Sequence, residues 1–133
     1  MFIFVYGTLK SAYKELNAFT KAFHQDATWL CDATIQGNSY LMDWYPALKL
    51  GGTDLVHGEI YKINTSSLLA TIDIYEEACG EDDYKKLDPF NKASFEYIRK
   101  RITIDGMDCW VYEYLGAVNE DIRIKSGVFE VSN

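Results

Sequence analysis

The sequence is poor in the residues on which metal and nucleophile chemistry depends. It holds two histidines, His24 and His57, far apart, and three widely spaced cysteines, Cys31, Cys79 and Cys109. With no H-x-x-x-H, no C-x-x-C and no mixed Cys/His spacing, no metal site is expected. An odd cysteine count without a paired framework points to reduced thiols. There is no G-x-S-x-G, and neither histidine has a partner motif, so spacing supports no Ser or Cys triad. No Walker-type Gly-Lys-Ser is present either, which argues against a nucleotide phosphate. Basic residues are outnumbered, 13 against 20 acidic, for a net charge of -7. Nucleic acid is therefore not an expected partner, because binding its backbone needs a clustered positive field. The one basic cluster, Arg99-Lys100-Arg101, is short and lies in a strand-like segment. The acidic run Glu81-Asp82-Asp83 lacks the spaced ligands of a calcium loop and reads as a solvated loop. No apolar run is long enough to cross a membrane, and no basic region leads an apolar stretch at the start. A soluble cytoplasmic protein is the expectation.

The chain does have enough apolar material for a core. Its 133 residues are 48% hydrophobic, which suits one domain over 1–133. Ten tyrosines are a high load for this length. Tyrosine serves where an apolar wall must also carry a hydroxyl, as in interfaces and small-molecule pockets.

The opening run, Phe2 to Val5, is continuously apolar and reads as a strand buried on both faces. It stops at Tyr6-Gly7-Thr8-Leu9. Ser11 to His24 then has helical spacing through Tyr13, Leu16, Phe19, Ala22 and Phe23. A strand, a short turn and a helix start leave unpaired N–H groups in one concave spot, which suits a small carboxylate. An ordinary strand-turn-helix entry to a fold is the plainer alternative. Ala27 to Ile35 reads as a strand ending at Gly37. Ser39 to Trp44 and Ala47 to Leu50 read as short strands separated by Tyr45-Pro46, and Gly51-Gly52 as a turn. Leu55 to Ile63 alternates as a strand, with Gly58 marking a bulge or a close backbone approach. Asn64-Thr65 offers an N-cap for a helix through about Glu77. Cys79 to Ser94 is polar and reads as a long loop. Phe95 to Ile104 and Cys109 to Leu115 are strands joined by an Asp105-Gly106 hairpin turn. Ile122 to Val131 offers one more short strand. Strands joined mostly by turns, with two helices, favour an antiparallel or mixed sheet, or a closed barrel, over a doubly wound fold.

The second helix carries the sharper clue. Its apolar stripe runs Leu68, Leu69, Ile72, Tyr75 and Cys79. At about 100° per residue Glu76 falls inside that stripe, whereas Glu77 and Asp73 fall outside it or at its edge. Burial costs a carboxylate desolvation and raises its pKa toward the range a general acid/base needs. The alternatives are a glutamate that reaches back to water, or one paired with an arginine such as Arg99. A single carboxylate in the stripe does not support a two-carboxylate glycosidase mechanism. One acid/base and one anion pocket, with no nucleophile or metal, would suit intramolecular attack by a substrate's own amine.

Six segments, in order, resemble the γ-glutamylcyclotransferase-like family, which includes the γ-glutamylamine cyclotransferases. Val5-Tyr6-Gly7-Thr8-Leu9 resembles its substrate loop. Tyr45-Pro46-Ala47-Leu48 resembles its aromatic-Pro-Ala segment, and Val56-His57-Gly58-Glu59-Ile60-Tyr61 its V-x-G-E-(L/I)-Y strand. Ile72-Asp73-Ile74-Tyr75-Glu76 is similar to the helix end that carries the family's catalytic glutamate. Tyr97-Ile98-Arg99 and Trp110-Val111-Tyr112 resemble its last two strands. The resemblance implies an α+β fold, a small mixed β-barrel flanked by helices. It further implies Glu76 as the catalytic acid/base, Tyr6, Gly7, Thr8, Leu9 and Tyr112 as substrate-binding residues, a small γ-glutamyl substrate, and no cofactor. The reaction it implies is ring closure to 5-oxoproline with release of an amine. Two departures stand out. Glu77 occupies a position where family members often have Gly, and Cys79 to Ser94 is long and so expected to border the leaving-group side. A non-catalytic module binding a small carboxylate on the same fold is the alternative. A protein-interaction domain using exposed tyrosines is a third reading, with no spare amphipathic segment to support it.

Overall fold

The computed structural model describes residues 1–131. Six strands form one mixed sheet in the order β2-β3-β1-β6-β5-β4. The first strand, β1 (Phe2–Val5), lies near the middle of it. It pairs antiparallel with β3 (Tyr45–Lys62), Phe2 opposite Lys62 and Val5 opposite Glu59. On its other side it pairs parallel with β6 (Met107–Tyr114), Phe2 opposite Cys109. The unbroken apolar run follows from that position, because side chains alternate between faces and here both faces are covered. Ile3 and Val5 pack with Phe23, Leu69 and Ile72 beneath the helices. Phe4 and the following Tyr6 pack with Leu48, Val56, Ile60 and Val111 on the opposite face. Gly58 faces this crossing: a Cβ there would meet the Val5 carbonyl oxygen and come within 2.6 Å of the Phe4 ring.

The architecture is the α+β one expected, a mixed sheet flanked by helices, but its hydrogen-bond ladder stays open. β2 (Thr28–Met42) and the three-residue β4 (Ala78–Gly80) are its edges. Side chains take over where the ladder stops. The β2–β3 hairpin is one long ribbon with a bulge: Gln36 opposes Leu55 and Gly37 opposes Leu50. Gly51-Gly52, expected as a turn between strands, lies in this bulge, which bends the ribbon. The expected short strands at 39–44 and 47–50 are its distal half, turning at Asp43-Trp44 instead of Tyr45-Pro46. That half reaches the far strands: Lys49 Nζ donates to the Tyr114 carbonyl at 2.7 Å and Leu50 N–H to Glu113 Oε2 at 2.7 Å. Tyr97 Oη donates to the Pro46 carbonyl at 2.7 Å.

Helix α1 spans Ala18–Asp26, not Ser11–His24. Asn17 and Thr20 form a reciprocal capping box that fixes the later start, and Ser11–Tyr13 makes only a 3-10 turn. Helix α2 (Ser66–Glu76) is capped by Thr65 as expected, and Glu77 ends it in the left-handed region, φ 53°. The Cys79–Ser94 stretch is not a structureless loop. After β4 come α3 (Glu81–Lys85) and α4 (Pro89–Lys92), the latter capped by Asp88. β4 pairs parallel with β5 (Tyr97–Ile104), which hairpins into β6. Asp105 and Gly106 at that turn both have positive φ, 49° and 80°, as a two-residue primed turn requires. The segment expected as a strand, Ile122 to Val131, forms only one bridge among the described residues, Arg123 to Tyr40. The three cysteines are free thiols. No described helix is long and apolar enough to cross a membrane.

Candidate active site

The end of β1 opens into a pocket of about 280 Å³. Five separate segments line it: residues 4–9, the hairpin tip Trp44-Tyr45-Pro46, the end of α2 at Tyr75-Glu76-Glu77, Glu96-Tyr97, and Tyr112. Glu76, Tyr6, Gly7, Thr8, Leu9 and Tyr112 are thus brought to one wall system. Tyr75, Tyr97, the hairpin tip, Glu77 and Glu96 join them without having been singled out as site residues. No residue of 78–95 lines the pocket, so the polar stretch does not border it; the residues flanking that stretch do.

The turn after β1 is set by one bond, Lys10 N–H to the Gly7 carbonyl at 3.1 Å. The N–H groups of Gly7, Thr8 and Leu9 meet no backbone acceptor among the described residues. Such a run of free amides is able to receive an anion. The helix dipole expected to reinforce it is not adjacent in sequence, since α1 begins at Ala18. Gly7 is held against the hairpin tip: a Cβ there would lie 2.8 Å from Pro46 Cγ.

Four of the five pocket tyrosines commit their hydroxyls to the protein, Tyr45 being the exception among the described residues. Tyr6 donates to the Tyr112 carbonyl at 2.6 Å, Tyr97 to Pro46, and Tyr112 to Asp73 Oδ1 at 2.6 Å. Tyr75 shares a 3.1 Å hydrogen bond with Thr8 Oγ1, and its ring stacks on Phe19 at 4.1 Å. Burial pushes the Tyr6, Tyr97 and Tyr112 hydroxyls well above their ordinary range, so all three stay protonated. They are walls and braces, not proton carriers at neutral pH.

Glu76 differs. Its carboxylate takes no hydrogen bond and no ion pair from any described residue, and the protein closes around it except toward the pocket. Burial first, then the nearby charges of Glu96 and Asp73, raise it from 4.5 to about 7. The arginine that could have neutralised it is engaged elsewhere. Arg99 makes a two-pronged pair with Asp73, Nε to Oδ1 at 2.8 Å and a terminal nitrogen to Oδ2 at 3.1 Å, and lies over the Trp110 ring at 4.3 Å. Asp73, at the edge of the apolar stripe, is therefore the residue Arg99 selects. Its signals in sequence were its place at the edge of the stripe, one turn before Glu76, and its position in the Ile72-Asp73-Ile74-Tyr75-Glu76 motif. Among the described residues no group of three His, Cys, Asp or Glu side chains is arranged to hold a metal ion.

An unpaired, buried glutamate and a run of free backbone amides thus line one pocket at the end of a buried strand. Comparison with known proteins gives the family. A sequence profile described as gamma-glutamyl cyclotransferase, AIG2-like, matches residues 3–131, and the chain belongs to that family. It is 28% identical over 134 residues to the gamma-glutamylcyclotransferase family protein ytfP of Citrobacter rodentium (strain ICC168), covering 96% of this chain and 93% of that protein. The solution structure of protein ytfP from Escherichia coli aligns with a TM-score of 0.66 at 28% identity, over 97% of this chain and 96% of that one. The crystal structure of an aig2-like protein from Mus musculus has the same fold, with a TM-score of 0.65 at 21% identity over 97% and 87% of the two chains.

Proposed function

We propose that this protein is a γ-glutamyl cyclotransferase that releases 5-oxoproline and a free amine from a small γ-glutamyl amine or peptide, with Glu76 as the general acid/base. The observation that carries the reading is the unpaired Glu76 carboxylate, raised to about 7, in the same pocket as the free amides of Gly7, Thr8 and Leu9. The α-carboxylate of the substrate lies on those amides. The α-ammonium then faces Glu76, which removes a proton. The freed amine attacks the γ-carbonyl carbon and closes a five-membered ring. Glu76 delivers a proton to the nitrogen on the far side of that carbon, and the γ C–N bond breaks. Over the cycle two protons leave the α-nitrogen and two arrive on the departing amine, so the carboxylate ends as it began. Because nucleophile and electrophile belong to one molecule, holding its ends in place supplies much of the acceleration. The aromatic walls, Tyr6, Tyr75, Tyr97 and Tyr112, exclude water from the ring-closing atoms.

Family membership supports the cyclotransferase class, and the family description supports a γ-glutamyl substrate. The test is incubation with a panel of γ-glutamyl amines and dipeptides followed by assay of 5-oxoproline. Wild type should form it and Glu76→Gln should not, while Glu76→Gln still binds the substrate. Binding without 5-oxoproline from the wild type would leave a small-carboxylate-binding module instead.

A further inference from the structure

Glu76 lacks a counter-charge although the neighbouring acid on its own helix has one. Residues three apart on a helix are surface neighbours, with Cβ atoms about 5–6 Å apart. Asp73 and Glu76 stand in that relation on α2. Glu76 lines the pocket, whereas Asp73 and its partner Arg99 do not. Strand register delivers the arginine: Arg99 of β5 stands between Gly80 of β4 and Tyr112 of β6. A Cβ at Gly80 would lie 3.1 Å from a terminal nitrogen of Arg99, so the missing side chain leaves room for the guanidinium.

Asp73 is more than half of an ordinary salt bridge. Beside the two bonds from Arg99 it accepts the Tyr112 hydroxyl at 2.6 Å, on the same Oδ1 that Arg99 Nε holds. Both side chains of the pair are largely buried, 14% and 18% exposed. The Tyr112 hydroxyl also senses the second acid. Burial first, then Asp73, then Glu76 raise it, and Arg99 lowers it. The Glu76 carboxylate and the Arg99 guanidinium thus act on one oxygen. The groups around Glu76 are Glu96 and Tyr97 from the start of β5, Tyr6 from the end of β1, Tyr112 from β6 and Asp73 from its own helix, with Glu77 in the same pocket. None of them is a cation.

We infer that Asp73 is a positioning residue for the acid/base: by holding Arg99 in a two-pronged pair, braced by the Tyr112 hydroxyl, it keeps the guanidinium off Glu76 and leaves that carboxylate free to exchange protons. This rests on the cyclotransferase reading of Glu76. Asp73 does not line the pocket, so it acts through Arg99 and not on the substrate. A buried cation that loses its partner is costly and takes another where one is in reach. Released from Asp73, the guanidinium has one unpartnered acid beside it, Glu76. That pairing would hold Glu76 ionised, and a carboxylate so held is a poor base. The end of α2 thus divides two tasks between adjacent acids. One takes the cation, and its neighbour stays available.

The experiment uses wild type, Asp73→Asn and Asp73→Asn/Arg99→Met, each with and without Glu76→Gln. Scanning calorimetry at pH 8 reads the pairing without any turnover. In wild type, Glu76→Gln removes a buried unpaired charge and should raise Tm. In Asp73→Asn the same substitution breaks the new ion pair and should lower Tm. In Asp73→Asn/Arg99→Met it should raise Tm again. Turnover gives the second readout. Near pH 7, kcat/KM of Asp73→Asn should fall by about tenfold or more, with its acid limb moved down by about 1–3 pH units. Asp73→Asn/Arg99→Met should regain most of the rate, its limb only slightly below that of wild type because the Asp73 charge is gone as well. Asp73→Asn should fold, since Arg99 finds a second partner. A Tm change of one sign in all three backgrounds, a rate that Arg99→Met does not restore, or an Asp73→Asn that does not fold overturns the proposal. The reversal of sign without any 5-oxoproline from wild type would refute the cyclotransferase reading and uphold the capture of Arg99 by Asp73.

Discussion

Replacing Glu76 by Gln should stabilise the protein, and only above acidic pH. In the folded state its carboxyl is raised from the ordinary 4.5 to about 7, chiefly by burial. Between those two values the native state binds a proton that the unfolded chain has released, so stability falls as pH rises. The contribution is fully present below about pH 4.5 and is lost as pH climbs through about 7. The displacement is worth up to about 3 kcal/mol once both states are ionised. Gln keeps the shape and cannot ionise, so the variant escapes the loss. For a chain of this length about 1 kcal/mol moves the midpoint by roughly 3–5 °C. Tm of Glu76→Gln should therefore match wild type near pH 4.5 and exceed it by roughly 10–15 °C near pH 8. Scanning calorimetry of both proteins across that range reads it directly, and other titrating groups largely cancel in the difference. A Tm difference that is the same at both ends would mean that Glu76 is solvated or paired. The acid/base argument would then lose its basis, whatever the substrate.

The same shift sets the pH profile: kcat/KM should fall on the acid side with a midpoint near 7, and Glu96→Gln should move that limb to lower pH by removing the stronger of the two neighbouring charges. Gly7→Ala should raise KM and cost about 1–3 kcal/mol of stability, because its methyl meets a Pro46 ring that Tyr97 holds in place; an unchanged KM would remove the loop from substrate binding. Tyr112→Phe should lower Tm by an amount corresponding to about 1 kcal/mol, since Asp73 keeps Arg99 when the hydroxyl is lost, whereas Arg99→Met should cost more by leaving Asp73 without its counter-charge; equal losses would mean the pair is solvent-screened.

The local features were legible because local chemistry decides them. Thr65 caps α2, Asp105-Gly106 turns the last hairpin, and the doubly buried run of Phe2 to Val5 marks a central strand. Helical phase alone put Glu76 toward the core, and the family's motifs, read in order, carried the fold. What sequence did not disclose depends on partners distant in the chain. The start of α1 shifted because Asn17 and Thr20 cap each other, a stronger signal than the apolar spacing that begins at Tyr13. The Cys79–Ser94 stretch has no stripe long enough to read as helix, yet its first two residues gain order by pairing with β5. Whether Arg99 would meet Glu76 or Asp73 could not be decided from the helix, since the two acids are one turn apart and the strand register makes the choice. Trp44 and Glu96 carry no motif at all. They reach the pocket because a bulge bends one hairpin and β5 begins where it does.

The position of β1 has a consequence for how the chain comes to be active. It is made before every strand it pairs with, and its parallel partner lies more than a hundred residues later, Phe2 opposite Cys109. Until β6 emerges, one edge of a fully apolar strand has nothing to bond to. Contacts of such long sequence separation form slowly and leave sticky intermediates exposed while they do. The residues that follow this strand carry the free amides of the pocket, and Tyr6 is fastened to the carbonyl of Tyr112. The pocket is complete only once the last strand is in place, so a ligand of that pocket would bind and stabilise the finished fold alone.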